Sequence, residues 1–347
     1  MLLRLIAIIA WGLAAGCASA QETPPMQARI IAIGDLHGDY QAYESLMLDA
    51  GLIDARGRWA GGETIFVQTG DVPDRGPDSL KIINHLRKLQ KQAPRKGGRV
   101  VTLVGNHEAM NMTGDLRYVH PGEYSAFTNR NSKRVREQIY QASRDNIEAF
   151  YLERDPNLTS EGIKAQWIED TPLGKIEHQT AWRPDGDVGN WEAANPAVAI
   201  VGDSLFVHGG VSAKYVSFSL NEINGDVAKA LTERNTDPDS IINDVAGPLW
   251  YRGLIVRTGD TPTQLSIEDE IDLVLNRFGV ARIVVGHTPS LTGITAHRNG
   301  RLIQIDTGIA AYYGGTKSFL EIKNGALYAH DNGVVTALDG GATGSGN

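Results

Sequence analysis

The sequence predicts an α/β sandwich, two mixed β-sheets with helices outside them and a dinuclear metal site at the strand ends. Three observations carry this reading. Apolar, β-branched runs alternate with amphipathic stretches over residues 29–104, the pattern of a βαβαβ unit with parallel strands. A second series of such runs occupies residues 197–338. Five of the runs lead directly into glycine-containing motifs rich in Asp, His and Asn, at the sheet edge where open α/β folds build their sites.

Taken in order, residues 29–33, 64–69 and 99–104 are strands, and residues 40–50 and 78–92 are the helices between them. In the second helix Ile82, Leu86 and Leu89 fall at helical spacing and face the core, while His85 on the other face is expected in solvent. Residues 110–195 break the alternation, with one helix over 133–150 and then a stretch carrying Trp167, Trp182 and Trp191 among Gly, Pro and charged residues. So long an irregular stretch is uncommon unless functional, and it reads as a cap over the metal site that shapes the substrate pocket. Strands resume at 197–201 and 205–207. Ser266, with Asp269 three residues on, caps a helix over 267–278. Strands at 282–285, 301–305, 318–322, 326–330 and 334–338 complete the second sheet, and residues 340–347 form a glycine-rich tail. The whole of 28–338 is one domain.

The motifs are Gly34-Asp35-Leu36-His37-Gly38, Gly70-Asp71-Val72-Pro73-Asp74-Arg75-Gly76, Gly105-Asn106-His107-Glu108, Val207-His208-Gly209-Gly210 and Gly286-His287-Thr288-Pro289. Asp35 and His37, two residues apart, can reach one ion from an extended segment. The Asp71 carboxylate has two oxygens, enough to bridge two ions ~3.5–4 Å apart. Asn106, His208 and His287 offer the second ion an oxygen and two imidazole nitrogens, a set that suits manganese, iron or zinc better than magnesium or calcium. Any one fragment alone is an ordinary turn; five in order, each behind a strand-like run, are a metal site.

Beside the ligands stand groups that only catalysis needs. A histidine near a carboxylate keeps its proton longer, so His107 with Asp74 can protonate a leaving oxygen. Arg75 offers a planar fork that matches phosphate oxygens. A water between two metals has a lowered pKa and supplies hydroxide at neutral pH. Arg252, in a glycine-bounded loop with aromatic neighbours, is either a second phosphate-holding arginine or a surface residue stacked on Trp250. Tyr312 and Tyr313 either line the pocket rim or pack as an aromatic pair.

These motifs resemble the phosphoprotein phosphatase branch of the calcineurin-like metallophosphoesterases, most closely the Shewanella-like protein phosphatases; the Gly-Asp-x-x-Asp-Arg-Gly element is the specific part. The resemblance implies the calcineurin-like sandwich, with Asp35, His37 and Asp71 on a first metal and Asp71, Asn106, His208 and His287 on a second. It implies His107 as general acid, Asp74 hydrogen-bonded to it, and Arg75 on the substrate phosphate. After Gly-Asn-His-Glu the chain has Ala109-Met110-Asn111 where eukaryotic members carry Cys-Arg, and Asp306-Thr307-Gly308-Ile309 replaces their Ser-Ala-Pro-Asn-Tyr-Cys segment. In the Shewanella-like group the resemblance leans toward phosphotyrosine. The expected activity is hydrolysis of phosphotyrosine in peptides or of small aryl phosphates. Two rivals are a diadenosine tetraphosphate hydrolase, whose related motif has Asp where this chain has Glu108, and a non-catalytic metal-binding protein.

With 347 residues, 41% hydrophobic and 21% charged, the composition is that of an ordinary globular protein. A net charge of −8 argues against a nucleic-acid partner. The single cysteine, Cys17, leaves no thiol for a cysteine-based phosphatase mechanism in a chain cleaved after Ala20. Residues 1–20 read as a secretory signal, with Arg4 before an apolar core too short to span a bilayer and Ala18-Ser19-Ala20 as the cleavage site. Export to the periplasm is expected; a lipoprotein anchored through Cys17 is the rival.

Overall fold

The computed structural model describes residues 28–338; the segment read as an export signal, with Cys17, and the glycine-rich tail lie outside the described residues. The chain begins as expected with β1 (Ile30–Ile33), α1 (Tyr40–Asp49), β2 (Ile65–Gln68), α2 (Ser79–Gln92) and β3 (Arg99–Thr102). β1, β2 and β3 pair in parallel. Every β1 residue is buried, because both faces of the strand are covered. Ile30 and Ala32 face the other sheet beside Phe206, Val284 and Ile303, while Ile31 and Ile33 pack in the cluster that includes Tyr43 of α1 and Leu86 of α2.

Helices follow: α3 (Asn106–Thr113), α4 (Glu123–Phe127), α5 (Ser132–Ala142), α6 (Arg144–Arg154), α7 (Ser160–Asp170), α8 (Lys175–Ala181) and α9 (Asp187–Glu192). Then come β4 (Val198–Val201), β5 (Ser204–Val207), α10 (Leu220–Glu233), α11 (Ile267–Phe278), β6 (Arg282–Val285), β7 (Thr295–His297), β8 (Leu302–Gln304), β9 (Ser318–Lys323), β10 (Ala326–Asp331) and β11 (Val334–Ala337). One sheet has the order β11-β10-β9-β1-β2-β3 and the other β4-β5-β6-β8-β7.

Four expectations need correction. The strands β9, β10 and β11 do not extend the second sheet; β9 runs antiparallel beside β1, with Ile31 opposite Glu321, and carries the other two with it. The single helix over 133–150 is two, because Ser143 leaves the helical region at φ −117° and ψ 16°. That break lets Tyr140 and Tyr151 enter one small core with Ile163 and Trp167. The stretch after it is helical rather than irregular, and Trp182 is buried in the main core instead of lying over the metals. The part that reaches the site is short: Asn111, Tyr118 and His120. Lastly, His85 is buried edge-on to Tyr43, and its Nε2–H donates to the Gly57 carbonyl at 2.7 Å, so its one N–H is satisfied inside.

Candidate dinuclear metal centre

The five motifs converge at the carboxyl ends of β1, β2, β3, β5 and β6. His37, Asp71, Asp74, Arg75 and His287 all have positive φ, between 44° and 73°. Such backbone costs of order 1–3 kcal/mol per residue and persists only where neighbours over-determine it. Here they do. Glu108 accepts from the backbone N–H groups of Asp71, Val72 and Gly105 at 2.9, 2.8 and 2.8 Å, tying the second motif to the third. The Asp71 carbonyl accepts from Leu36 and His37 at 3.0 Å each, tying the first motif to the second. His37 therefore reaches the site from a left-handed turn, not from the extended segment expected. Gly70 and Gly105 stand so close that a Cβ on Gly70 would lie 2.5 Å from the Gly105 nitrogen.

His37 and His208 each have one ring nitrogen fixed by the protein and the other aimed at the cluster. The Nδ1–H of His37 donates to the Pro73 carbonyl at 3.1 Å and that of His208 to the Thr69 carbonyl at 2.9 Å. His37 Nε2 then lies 3.8 Å from Asp71 Oδ2 and 4.0 Å from Asp35 Oδ2. His208 Nε2 lies 3.3 Å from Asp71 Oδ1 and 3.0 Å from Asn106 Oδ1. His287 Nε2 is buried with no hydrogen-bond partner among the described residues. Its backbone N–H donates to both Asp35 oxygens, at 3.1 and 3.2 Å.

Nitrogen lone pairs facing carboxylate and amide oxygens repel unless a proton or a metal cation lies between them, and a buried orphan such as His287 Nε2 is costly without one. Two groups have donor atoms close enough to share an ion: His37, Asp71 and His107, and Asp71, His208 and His287. Asp71 belongs to both. The residues fit two ions, and nitrogen with oxygen donors is the chemistry expected for transition metals.

The protonation pattern tells the same story. Burial and the Asp306 carboxylate raise Asp35 well above the usual carboxylate range. Burial pushes Asp71 the same way, but His208 and His107 overcome it and hold the carboxyl well below its ordinary value. Burial also pulls the His208 imidazole down, yet Asp71 and Asp35 carry it to about 10, so a proton stands where a cation would. His37 is brought to about 3 by burial, and His287 is held well below its ordinary value by burial and by His208. Both are neutral imidazoles, the form that binds metal.

His107 is oriented the opposite way. Its Nδ1 lies 2.5 Å from Asp74 Oδ2, and its Nε2 faces Asp71 Oδ2 at 3.8 Å. Asn111 donates to Asp74 Oδ1 at 3.0 Å and to the His107 carbonyl at 2.9 Å, locking the pair. Asn106 and His107 open α3, and both side chains reach the centre, Asn106 Oδ1 at 3.0 Å from His208 Nε2 and His107 Nε2 at 3.8 Å from Asp71 Oδ2. Burial opposes the His107 imidazolium, but Asp71 and Asp74 raise its pKa above the ordinary value. Arg75 stands on the His37 side, its guanidinium 3.9 Å over the Tyr118 ring and hydrogen-bonded to the Tyr312 hydroxyl at 3.1 Å. Arg252 stands on the His287 side and donates to the His287 carbonyl at 2.6 Å. The stack on Trp250 is not formed; Trp250 turns its edge to His287 at 5.7 Å. Tyr312 and Tyr313 meet edge-to-face at 5.0 Å; Tyr312 lines the cavity beside Arg75, and Tyr313 packs against the His37 ring at 5.3 Å. Glu108, Asn111 and Tyr118 are the site residues that sequence reasoning missed; only Glu108 carried a signal, three residues after the Gly105 that opens α3.

A two-sheet sandwich with this ligand set at its strand ends defines the metallophosphoesterase class. The chain belongs to the calcineurin-like phosphoesterase family, whose profile matches residues 28–291. It is 33% identical over 293 residues to Shewanella-like protein phosphatase 2 of Arabidopsis thaliana, across 81% of this chain and 71% of that one. An uncharacterized protein of Schizosaccharomyces pombe is 32% identical over 305 residues, across 84% of this chain and 76% of its own length. Among solved structures, the cold-active protein-tyrosine phosphatase of a psychrophilic Shewanella superposes with a TM-score of 0.66 at 27% identity, covering 90% of this chain and 81% of that one. The resemblance read from the motifs is borne out. The chain is a metallophosphatase, and its family implies divalent metal ions. Among the described residues no helix is long and apolar enough to cross a membrane.

Proposed function

We propose that this metallophosphatase hydrolyses phosphomonoesters, with phosphotyrosine in peptides and small aryl phosphates as preferred substrates. Asp35, His37 and Asp71 would hold one ion of manganese, iron or zinc, and Asp71, Asn106, His208 and His287 the other. When bound, the two ions supply Lewis acidity toward the phosphoryl oxygens and an activated water. Arg75 binds the phosphate, with Arg252 on the opposite flank. Nε2 of His107 delivers a proton to the departing oxygen, and Asp74 keeps that proton available by holding Nδ1. Phenolate is a better leaving group than alkoxide, but the free tyrosine side chain still has to be protonated, so the acid serves aryl esters of ordinary basicity.

The observation that carries the reading is the combination at one point of a fixed acid, His107–Asp74 at 2.5 Å, with a guanidinium that has no carboxylate partner among the described residues. A metal store needs neither. The phosphotyrosine preference is supported by the similarity to a protein-tyrosine phosphatase. The test is a panel of phosphotyrosine, phosphoserine and phosphothreonine peptides with a dinucleoside tetraphosphate. The highest kcat/KM is expected on phosphotyrosine; cleavage of the dinucleotide alone overturns the proposal. The export signal in residues 1–20 supports action in the periplasm. Intact mass from the native host should show a chain starting at Gln21, whereas acyl mass on Cys17 would mean membrane anchoring.

A further inference from the structure

The Arg75 guanidinium lies against Tyr118 and Tyr312 and has no acid partner among the described residues. Tyr118 lies beneath it at 3.9 Å, and the Arg75 backbone N–H donates to the Tyr118 carbonyl at 3.0 Å. Tyr118 is itself fixed against the His107 ring at 5.2 Å. Tyr312 differs: it is 61% exposed, its ring centre is 4.9 Å from the guanidinium carbon, and its hydroxyl takes the hydrogen bond from Nη1. The loop that carries it is tethered where Ala311 N–H donates to Asp39 Oδ2 at 2.9 Å, and it bends at Gly308 and Gly314, with φ of 61° and 67°.

We propose that Tyr312 is the residue that sets aryl specificity: its hydroxyl occupies the place of a phosphate oxygen on Arg75, and its ring walls the cavity that receives the aromatic group of the substrate. The inference rests on the reading of Arg75 as the phosphate holder. A phenol oxygen is a neutral acceptor, and a phosphate oxygen makes a charge-assisted bond roughly twice as strong, so phosphate displaces it. Tyr118, packed on both sides, stays and keeps the guanidinium plane in place. Beside Arg75 and Tyr312 opens a cavity of about 550 Å³, lined by His37, Gln41, His120 and Ala311 among others. Roughly 150 Å³ suffices for a benzene ring, so a phenyl group and a flanking peptide residue both fit. The exposed Tyr312 ring borders this space, where edge-to-face contact with a substrate ring is available and an alkyl phosphate gains nothing.

The experiment compares wild type, Tyr312→Phe, Tyr312→Ala and Arg75→Ala, all metal-loaded. Calorimetric binding of inorganic phosphate is read together with KM and kcat for phenyl phosphate and for glycerol 2-phosphate. Tyr312→Phe loses the competing hydroxyl and keeps the ring. It should bind phosphate about five-fold tighter, in line with one neutral hydrogen bond, with the change in KM and not in kcat. Tyr312→Ala should raise KM for phenyl phosphate about five- to ten-fold relative to glycerol 2-phosphate. Unchanged or weaker phosphate binding in Tyr312→Phe, or equal KM effects on both esters in Tyr312→Ala, overturns the inference. Arg75→Ala separates the two readings: lost phosphate binding there sustains the assignment of Arg75 whatever Tyr312 does, and unchanged binding removes both.

Discussion

Nδ1 of His107 lies 2.5 Å from Oδ2 of Asp74, inside the protein and one residue before Arg75. The contact fixes the tautomer, leaves Nε2 facing the metal cluster, and raises the imidazole pKa against the pull of burial. His107→Gln should therefore retain both metals and lose roughly 10²–10⁴ in kcat, the usual contribution of a general acid. The loss should shrink for nitrophenyl phosphate, whose leaving group needs no proton. Equal losses on nitrophenyl and alkyl phosphates, with metal content unchanged, would remove the acid role.

Arg75→Lys is expected to behave as a severe change. A lysine keeps the charge but not the fork, and it cannot lie flat on Tyr118. kcat/KM should fall by about 10-fold or more while metal affinity holds. Steady-state kinetics close to wild type would contradict the assignment.

Glu108 makes a sharper prediction because it touches no substrate. Its two oxygens gather three backbone N–H groups from the loops that carry Asp71 and Asn106. Glu108→Gln replaces one acceptor by a donor and sets it against an N–H. Metal affinity should drop by about 10–100-fold, as for other residues that orient metal ligands. Metal titration followed by calorimetry reads this directly, and an unchanged dissociation constant would show that the strained loops hold without it.

Much of this centre was legible because its candidate ligands are side chains of definite chemistry at fixed spacing from strand ends. That Asp35, Asp71, Asn106, His208 and His287 come together could be read from their motifs and the strands before them. What escaped depends on long-range pairing. A period-two pattern marks β9 to β11 as strands but does not say that β9 joins β1. His85 looked polar and hence exposed, and only the fold brings the Gly57 carbonyl to it. The role of Glu108 lies in contacts 36 and 37 residues away. One omission was avoidable: Ser219 and Glu222 form a capping box that announces α10 in the sequence itself.

Stability should depend on pH through Glu123, which is buried between α2 and α4. Its Oε2 accepts from Ser79 N–H at 3.0 Å, its Oε1 has no partner, and burial pushes the carboxyl up to about 8 from an ordinary 4.5. Below pH 4.5 both folded and unfolded chains hold the proton. Between 4.5 and 8 only the folded chain does, so stability falls as pH rises through that window, by at most about 1.4 kcal/mol per unit. Glu123→Gln cannot ionise. Urea unfolding should show its advantage over wild type growing from pH 5 to pH 8; a constant difference would mean that the carboxyl titrates alike in both states.

The central claim is that Asp71 joins two ion sites into one catalytic unit, and calorimetric titration of metal-free protein with Mn²⁺, run in parallel with hydrolysis of phenyl phosphate, tests it most directly. Two equivalents should bind to the wild type, with activity rising only as the second site fills, and Asp71→Asn should lose at least one equivalent and nearly all turnover. Full activity at one equivalent, or an Asp71→Asn protein that binds two ions and turns over normally, would contradict the account.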